Sequence, residues 1–218
     1  FQGSNVRTKT GIDAIDLYQE ISSSPVSFVS VRCTLAIAIL KCLGVTICDA
    51  LQAYLQARID GPDRVPTWVE LPKDWWPDHW FQKGDRMKPL FVRPVCLLIK
   101  ALYGHPESGA LWQGLFEGIL KGMAWKTVSS WPGTFLHPDG SVLNVYVDDI
   151  LLAASEENTK KHWKLLTAAV EFKDEPAEIS QFVGAHYSLQ KFDKANPKQE
   201  RTLKISMSGY TEHMCEKF

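Results

Sequence analysis

Apolar residues recur with a helical spacing in three segments of the chain, and each segment carries end signals. In the segment from Ser27 to Lys41, a serine precedes the apolar run and Gly44 follows it. In the segment from Ser155 to Phe172, two glutamates occupy the first turn, where the helix dipole favours negative charge. The pattern predicts helices over Ser27 to Lys41, Pro106 to Gly122 and Ser155 to Phe172. The predicted apolar face of the second is Leu111, Trp112, Leu115 and Ile119.

Short runs of β-branched and other apolar residues, bounded by turn residues, predict strands. These are Val45 to Cys48, Trp68 to Leu71, Val95 to Ile99, Trp125 to Leu136, Ser141 to Val147, Ile150 to Ala154, Gln181 to Leu189 and Leu203 to Met207. A turn at His137-Pro138-Asp139-Gly140 precedes the fifth. Strands and helices mix without regular βαβ alternation. The predicted fold class is therefore α+β, an antiparallel sheet with helices packed on one face.

Residues 58–94 depart from this order, since they hold half of the prolines and four of the eight tryptophans. Exposed indoles in this segment could stack on nucleic-acid bases. Tryptophans that fix a proline-rich loop are the more common case. We interpret the segment as a long excursion from the main sheet, held in place by its aromatic residues.

At 218 residues and 45% hydrophobic content, the chain suits one globular domain with a substantial core. Phe1 to Ser4 is typical of a tag remnant, which leaves a domain over 5–218 whose C-terminal end is 190–218. No apolar run is long enough to span a bilayer, and no signal peptide is visible, so we expect a soluble intracellular protein. Five cysteines without C-x-x-C spacing favour reduced thiols in the cytoplasm or nucleus over disulfides or a structural zinc.

The net charge of −1 disfavours a nucleic-acid-binding role without excluding it, because dedicated binders are usually basic. Positive residues do cluster locally, either as ordinary solvated surface or as phosphate contacts. If the chain binds a duplex, we expect the phosphate contacts at Arg58, Arg93, Lys100 and the basic run from Lys191 to Lys204.

Two adjacent acids, Asp148 and Asp149, interrupt an apolar run between two predicted strands. In a solvated turn such a pair is ordinary, but here the flanking strands tie it to the core. Neighbouring carboxylates raise each other's pKa values unless a cation lies between them. Asp49, which ends its own apolar strand, is the natural third acid. Three such carboxylates suit a site for two Mg²⁺ ions, with Mn²⁺ as a substitute, that supports phosphoryl transfer.

Tyr146-Val147-Asp148-Asp149 resembles the aromatic-x-Asp-Asp signature of reverse transcriptases, and its surroundings resemble the copia-type branch found in LTR retrotransposons. Five blocks match in the family's order: SPVSFVSVR (24–32), CDALQAYLQA (48–57), LIKALYGHPESGALW (98–112), VYVDDILLAA (145–154) and QFVGAHYSL (181–189). The resemblance implies a reverse-transcriptase palm with partial fingers, in which the excursion of residues 58–94 belongs to the fingers.

What the resemblance implies is an RNA-directed DNA polymerase, a nucleotidyltransferase that joins a dNTP to a primer 3′-hydroxyl on an RNA or DNA template. Its catalytic and metal-binding residues would be Asp49, Asp148 and Asp149. Its nucleotide-binding positions would be Ala53, Tyr54, Tyr103 and Gly104. Among these, the Tyr54 ring would exclude a ribose 2′-hydroxyl by steric clash. Its primer-binding positions would be Tyr146, Val147, Phe182, Val183 and Gly184.

The chain departs from the family pattern in several places. Only Val6 to Lys9 stands where the family has a basic fingers hairpin that grips the triphosphate, and little chain follows Leu189. We expect the missing fingers, thumb and RNase H regions to belong to a longer polyprotein, in the cytoplasm or nucleus and within virus-like particles. The block HPESGALW and Ala50 also differ from the usual family residues, which bears more on substrate handling than on metal binding.

Three hypotheses are compatible with these features. The first is the active palm core of a copia-type reverse transcriptase. The second is a domesticated or decayed palm that acts as a nucleic-acid-binding or structural module without polymerase activity. The third is an unrelated metal-dependent nucleotidyltransferase with a palm. Retention of all three carboxylates favours the first over the second, because folding alone does not require three acids to converge. The match over several blocks disfavours the third.

Overall fold

The computed structural model describes residues 23–62, 64–190 and 201–217, together with residues 7 and 10. Its helices are α1 (Phe28–Leu40), α2 (Ala53–Gln56), α3 (Ser108–Gly122), α4 (Glu156–Ala169) and α5 (Ser208–Lys217). Its strands are β1 (Gly44–Asp49), β2 (Trp68–Glu70), β3 (Val95–Leu97), β4 (Lys126–Thr127), β5 (Thr134–Leu136), β6 (Val142–Tyr146), β7 (Asp149–Ala154), β8 (Ala177–Glu178), β9 (Gln181–Phe182), β10 (Ala185–Leu189) and β11 (Leu203–Ser206). Three short 3-10 turns lie between β2 and β3.

Two sequence predictions fall partly or wholly outside these ranges. The tag remnant expected at residues 1–4 lies outside the described residues, as does the part of the basic run at residues 191–200. Within the ranges that are described, no helix is long and apolar enough to cross a membrane.

The three predicted helices are present, and their caps fix where two of them begin. The Ser27 and Ser155 side chains each accept a hydrogen bond from the backbone N–H three residues later, at 3.1 and 3.3 Å. The third helix ends earlier than predicted, at Ala169, because Val170 is extended. The chain then turns so that Phe172 can form a β-bridge with the residue after β1.

Six strands form the main antiparallel sheet, in the order β4-β5-β6-β7-β1-β8. Strands β5, β6 and β7 follow one another along the chain as a meander, whereas β1 inserts from a distant part of the sequence. The register of β1 against β7 runs from Gly44 opposite Ala154 to Asp49 opposite Asp149. Because the register extends to the last residue of β1, Asp49 of β1 and Asp149 of β7 lie at the same end of the sheet.

Successive residues of β7 pack into two separate hydrophobic clusters, one on each face of the sheet. Ile150 and Leu152 pack with residues of α3 and α4, while Leu151 and Ala153 pack with residues of α1 and β10. Helices therefore lie on both faces rather than one, while the predicted α+β class with an antiparallel sheet is confirmed. The five residues from Ile150 to Ala154 are all fully buried, as expected of a strand covered on both sides.

Helix α3 buries a face that overlaps the predicted one, since Leu111 and Trp112 are buried and Ile119 packs against the core. Trp112, Phe116 and Leu120 are at most 2% exposed, whereas Leu115 is 38% exposed. Positions 112, 116 and 120 lie one helical turn apart, so they form a continuous stripe along the helix. The buried stripe therefore continues through Phe116 and Leu120, which the sequence prediction did not include.

Two segments predicted as single strands are each two strands. Trp125 to Leu136 divides into β4 and β5 around a loop that ends at Gly133, where φ is +69° and a Cβ atom would lie 2.5 Å from the Val26 nitrogen. Gln181 to Leu189 divides into β9 and β10 because Val183 and Gly184 both have positive φ, at 47° and 73°. Two such residues form a type I′ hairpin turn, so the chain reverses there.

The excursion of residues 58–94 is fixed by its aromatic residues, as predicted. Trp76 is 6% exposed and donates its indole N–H to the Leu71 carbonyl at 2.8 Å. Its ring centroid lies 5.9 Å from those of Trp80 and Phe81. Other tryptophans of the segment remain exposed, with Trp75 at 74%. One part of this aromatic group therefore holds the loop, and another part faces solvent.

Arg201 ties the C-terminal segment to α1. Its guanidinium donates to the Ala38 carbonyl at 3.0 Å and to the Leu43 carbonyl at 3.1 Å, and its Nε donates to the Gln190 carbonyl at 3.1 Å. A cation near the last carbonyls of a helix satisfies them and complements the negative end of the helix dipole. The sequence prediction included Arg201 among the phosphate contacts, but in the structure this side chain is committed to the fold.

Candidate functional site

The three predicted acids meet at one end of the main sheet. Strand β6 ends at Tyr146, which pairs with Asp149 at the start of β7, so Val147 and Asp148 form a two-residue hairpin turn. We call residues 146–149 the acidic turn. Asp149 is thus the first residue of β7 rather than a residue of the loop, and it lies directly opposite Asp49 of β1.

The backbone of the acidic turn is held in an uncommon conformation. Val147 has φ of +58°, and a β-branched residue rarely adopts this left-handed region because its Cβ crowds the carbonyl. Two contacts fix the turn: the Trp112 indole N–H donates to the Val147 carbonyl at 2.7 Å, and the Ala50 N–H donates to the Asp148 carbonyl at 2.8 Å. Strained backbone of this kind persists only where its surroundings determine it.

The carboxylates of the site repel one another. Burial, a side-chain hydrogen bond with Asp49, and the charges of Asp49 and Asp148 together raise the pKa of Asp149 to about 7. Like charges placed directly opposite on neighbouring strands are destabilising. A divalent cation between the carboxylates would relieve this repulsion. Carboxylate oxygens of this type are ligands that Mg²⁺ prefers, although the three acids are not among the described groups whose ligand atoms all lie within 4.8 Å of one another.

Two tyrosines lie beside the acids. Backbone hydrogen bonds between residues 57–59 and 99–101 join the chain after α2 to the chain after β3, and the ring centroids of Tyr54 and Tyr103 are 4.6 Å apart. Burial raises the pKa of both phenols, and the negative charge of Asp148 raises both further. Both phenols are therefore within electrostatic reach of the acidic turn.

The remaining predicted nucleotide-binding positions differ in exposure. Ala53 is fully buried, so its side chain belongs to the core beneath Tyr54. Tyr103 is 44% exposed and offers a surface to a ligand. Gly104 has φ of +86°, a conformation that glycine adopts without strain, and it turns the chain towards α3.

The predicted primer-binding residues divide between two hairpins. Tyr146, which is 37% exposed, and Val147 lie in the acidic turn beside the acids. Phe182 is 2% exposed and packs in the hydrophobic cluster that includes α1, while Val183 and Gly184 form the tip of the β9–β10 hairpin. The structure thus connects this second hairpin to the sheet through the core rather than through the acids.

Two supporting residues were missed by the sequence predictions. The Gln56 amide donates to the Leu51 and Glu171 carbonyls at 2.8 and 2.9 Å and accepts from the Glu171 N–H at 3.0 Å, which clamps α2 to the segment after α4. Trp112 was predicted only as part of a buried helix face. Its one polar atom supports the acidic turn, and the only sequence signal was its place in the block at residues 98–112.

Two of the predicted phosphate contacts are already in ion pairs. Arg58 lies 2.6 Å from an Asp60 carboxylate oxygen, and Arg93 lies 2.6 Å from a Glu70 carboxylate oxygen. All four side chains are substantially exposed. Exposed pairs of this kind contribute little to stability, so a phosphate group could compete for either arginine.

Comparison with protein families agrees with the geometry. A family model described as Reverse transcriptase (RNA-dependent DNA polymerase) matches residues 7–218, a range that includes every predicted site residue. A search of curated proteins found no match. The copia-type resemblance of the sequence blocks is thereby confirmed. The chain belongs to the reverse transcriptase (RNA-dependent DNA polymerase) family.

Proposed function

We propose that this chain is the catalytic core of an RNA-directed DNA polymerase, in which Asp49, Asp148 and Asp149 hold two divalent cations for nucleotidyl transfer. The observation that carries the proposal is the register of β1 against β7, which sets Asp49 directly opposite Asp149 and next to the acidic turn. Two carboxylates from neighbouring strands and a third from the adjoining turn therefore share one end of the sheet.

The carboxylates position the metal and do not themselves react. Bound Mg²⁺ would lower the pKa of the primer 3′-hydroxyl and neutralise charge on the triphosphate and its pyrophosphate leaving group. A bound cation would displace the proton that the raised pKa of about 7 leaves on Asp149 near neutral pH, because a divalent ion stabilises the carboxylate in its charged form. Asp148, fixed by the hydrogen bond from the Ala50 N–H, would present the third ligand from the turn.

The two tyrosines would form the nucleotide side of the site. The Tyr54 ring would lie against the incoming sugar and reject a ribose by steric clash, with Tyr103 as its packing partner at a centroid distance of 4.6 Å. Buried Ala53 would hold Tyr54 in place from below. Gly104 would let the backbone approach the base, because it has no side chain to intervene.

The primer would lie on the other side of the acidic turn. The Tyr146 side chain is exposed enough to contact a primer, and Val147 continues the same surface. In the β9–β10 hairpin, Val183 and Gly184 at the tip would contact the primer, while buried Phe182 would anchor the hairpin.

The template would be held by exposed basic side chains. Lys100 is exposed and forms a β-bridge with Arg58, so the two cations lie next to each other on paired segments. Phosphate contacts at Lys100, Arg58 and Arg93 would release counterions, so binding of an RNA or DNA template-primer should weaken steeply with salt.

Primer extension tests the proposal. The chain and its Asp148→Asn variant are compared on an RNA template with dNTPs, in Mg²⁺ and in Mn²⁺. We expect extension by the parent chain and none by the variant, whose fold is checked by circular dichroism. Equal extension by both would contradict the metal site, and absence of extension by both would favour a palm that only binds nucleic acid.

A companion measurement tests the nucleotide side. Tyr54→Ala should keep dNTP incorporation while admitting ribonucleotides, because it removes the ring that clashes with the 2′-hydroxyl. Tyr103→Ala is the matched control, since it removes the packing partner but not the clashing ring. If neither variant changes the ratio of dNTP to rNTP incorporation, Tyr54 does not select the sugar.

A further inference from the structure

A group of side chains that could bind a metal ion lies at the other end of β6, about 20 Å from the acidic turn by the rise of a strand. Residues 137–140, which we call the histidine turn, connect β5 to β6 there, and His162 of α4 packs against them. His137 Nδ1 lies 2.9 Å from one Asp139 carboxylate oxygen, and His162 Nε2 lies 2.8 Å from the other. The three potential ligand atoms all lie within 4.8 Å of one another.

The side chains of this cluster are held firmly in place. His162 is 2% exposed, and the His137 and Asp139 side chains are 14% and 21% exposed. The Trp125 ring packs against both imidazoles, with centroid distances of 5.1 and 4.8 Å. The Ser141 N–H donates to an Asp139 carboxylate oxygen at 2.9 Å and so orients the carboxylate. A cation would therefore meet ligands that need little rearrangement.

His137 Nδ1 can satisfy only one of the two Asp139 groups that it contacts. Its Nδ1 lies 2.9 Å from an Asp139 carboxylate oxygen, which needs a donor, and 3.3 Å from the Asp139 backbone N–H, which needs an acceptor. One imidazole nitrogen cannot be both at once. Without a proton, its lone pair faces the carboxylate. A cation between nitrogen and oxygen would remove that conflict.

We propose that His137, Asp139 and His162 bind one Zn²⁺ ion, with water in the fourth position. Two imidazoles and a carboxylate are typical zinc ligands, and zinc prefers imidazole nitrogen where Mg²⁺ prefers oxygen and water. The ion takes the place of the protons between the ligand atoms, which move apart from their hydrogen-bonded distances of 2.9 and 2.8 Å, and each imidazole carries its proton on its other nitrogen. The site is chemically distinct from the all-carboxylate acidic turn and independent of polymerisation.

The ion would act on the fold of the sheet. It would join α4, which carries His162, to the turn that connects β5 and β6. Since β6 leads directly into the acidic turn, a zinc ion bound here would hold α4 and the acidic turn in a fixed relative position.

Zinc titration of the whole chain tests this site. The titration is done in excess Mg²⁺, which saturates the acidic turn, and is followed by calorimetry and by the thermal midpoint. We expect one equivalent of Zn²⁺ to bind and raise the Tm. His162→Gln and His137→Gln should each weaken binding at least tenfold, while His186→Gln, at an exposed position of β10, should not. Because His137 is partly exposed, its variant remains informative if His162→Gln fails to fold.

Cobalt substitution separates this site from the free cysteines of the chain. Co²⁺ bound by imidazole and carboxylate shows visible ligand-field bands without the near-ultraviolet charge-transfer band of a thiolate. We expect the visible bands alone, and their loss in His137→Gln. A thiolate band, binding unchanged in both histidine variants, or no zinc binding by the folded parent chain would overturn the proposal.

Discussion

The two ends of β6 each place an aspartate beside a turn, with opposite electrostatic results. At the acidic turn, burial and neighbouring carboxyl groups raise the pKa of Asp149 to about 7. At the histidine turn, burial also acts to raise the pKa of Asp139. Hydrogen bonds from Ser141, His162 and His137 outweigh it and hold that pKa well below its usual range. Burial acts in the same direction on both carboxyl groups, so their different neighbours account for the opposite directions of the two net pKa shifts.

This difference separates a group of carboxylates that a cation would stabilise from one that hydrogen-bond donors stabilise without metal. The acidic turn gathers like charges and a strained Val147, so without metal it costs stability. The histidine turn satisfies its carboxylate with donors and stabilises the chain even without metal. Functional sites commonly carry such a cost, and the surrounding structure offsets it.

The largest effect should come from Asp149→Asn. Polymerase activity in primer extension should fall by more than about 100-fold, because a metal ligand is lost. The Tm at neutral pH in chelator should rise, because a repelled carboxylate is replaced by a neutral amide. Asp78→Asn, at an exposed position in residues 58–94, is the control and should change neither quantity. A fall in both activity and Tm would mean that Asp149 is primarily structural.

Asp139→Asn should have the opposite effect on stability. The variant loses charge-assisted hydrogen bonds to two imidazoles, which are worth about 2 kcal/mol together, or about 4–8 °C in Tm for a chain of this length. Thermal unfolding in chelator measures this without a contribution from metal. An unchanged Tm would remove the contrast between the two turns.

The pH dependence of stability should carry opposite signs at the two ends. Between the ordinary Asp pKa of 3.8 and about 7, folded Asp149 retains a proton that the unfolded chain has released, so its contribution to stability falls as pH rises. Burial lowers the pKa of His162, so stability is lost there as pH falls below the ordinary value of 6.5. The depressed pKa of Asp139 adds a further loss below 3.8.

Tm profiles in chelator from about pH 4 to about pH 8 separate these contributions. Asp149→Asn should remove the loss that develops as the pH rises from 3.8 to about 7, which is about 1 kcal/mol after allowance for solvent screening of a half-buried group. His162→Gln should remove the loss on the acid side. Added Mg²⁺ should restore stability near pH 8 in the parent chain but not in Asp149→Asn. Parallel profiles for all three proteins would contradict both assignments.

The smallest effect on activity should come from substitution of the tryptophans that contact the acidic turn and the histidine turn. Trp112→Phe removes the hydrogen bond to the Val147 carbonyl, worth about 1 kcal/mol, and we expect kcat to fall about fivefold with KM nearly unchanged. Trp125→Phe is the matched control, because within the described structure its buried indole N–H has no hydrogen-bond partner. A similar loss of kcat in both variants would show that Trp112 acts through packing alone.

The acidic turn could be predicted from sequence because its signals are local. Apolar strands on both sides of Asp148 and Asp149 indicated a hairpin, and the strand that ends at Asp49 supplied the third acid. The sequence interpretation did not predict that both faces of β7 are buried. Its uninterrupted apolar run from Ile150 to Ala154 carried that information, but the run was read only as a strand flanking the acids.

The histidine turn could not be found in the same way. His162 is far along the chain from the turn, and no spacing rule connects a turn residue to a helix residue. Their contact depends on how α4 lies on the sheet. The hydrogen bond from Trp112 is a similar case, because the sequence predicted a buried side chain but not the carbonyl that its indole reaches. The partial shift of the buried face of α3 has the same origin. The helix carries several apolar stripes, and packing against the sheet determines which one is buried.

The insertion of β1 beside β7 has a consequence for the order of folding. Strands β5, β6 and β7 are joined by short turns, so they can pair early at low entropic cost. Strand β1 pairs with β7 across a long stretch of chain, with Thr46 and Leu152 separated by 106 positions. We therefore expect β1 to dock late. Asp49 then joins the other two acids only in the last stage of folding, so the nascent chain does not bring the three carboxylates together until its sheet is closed.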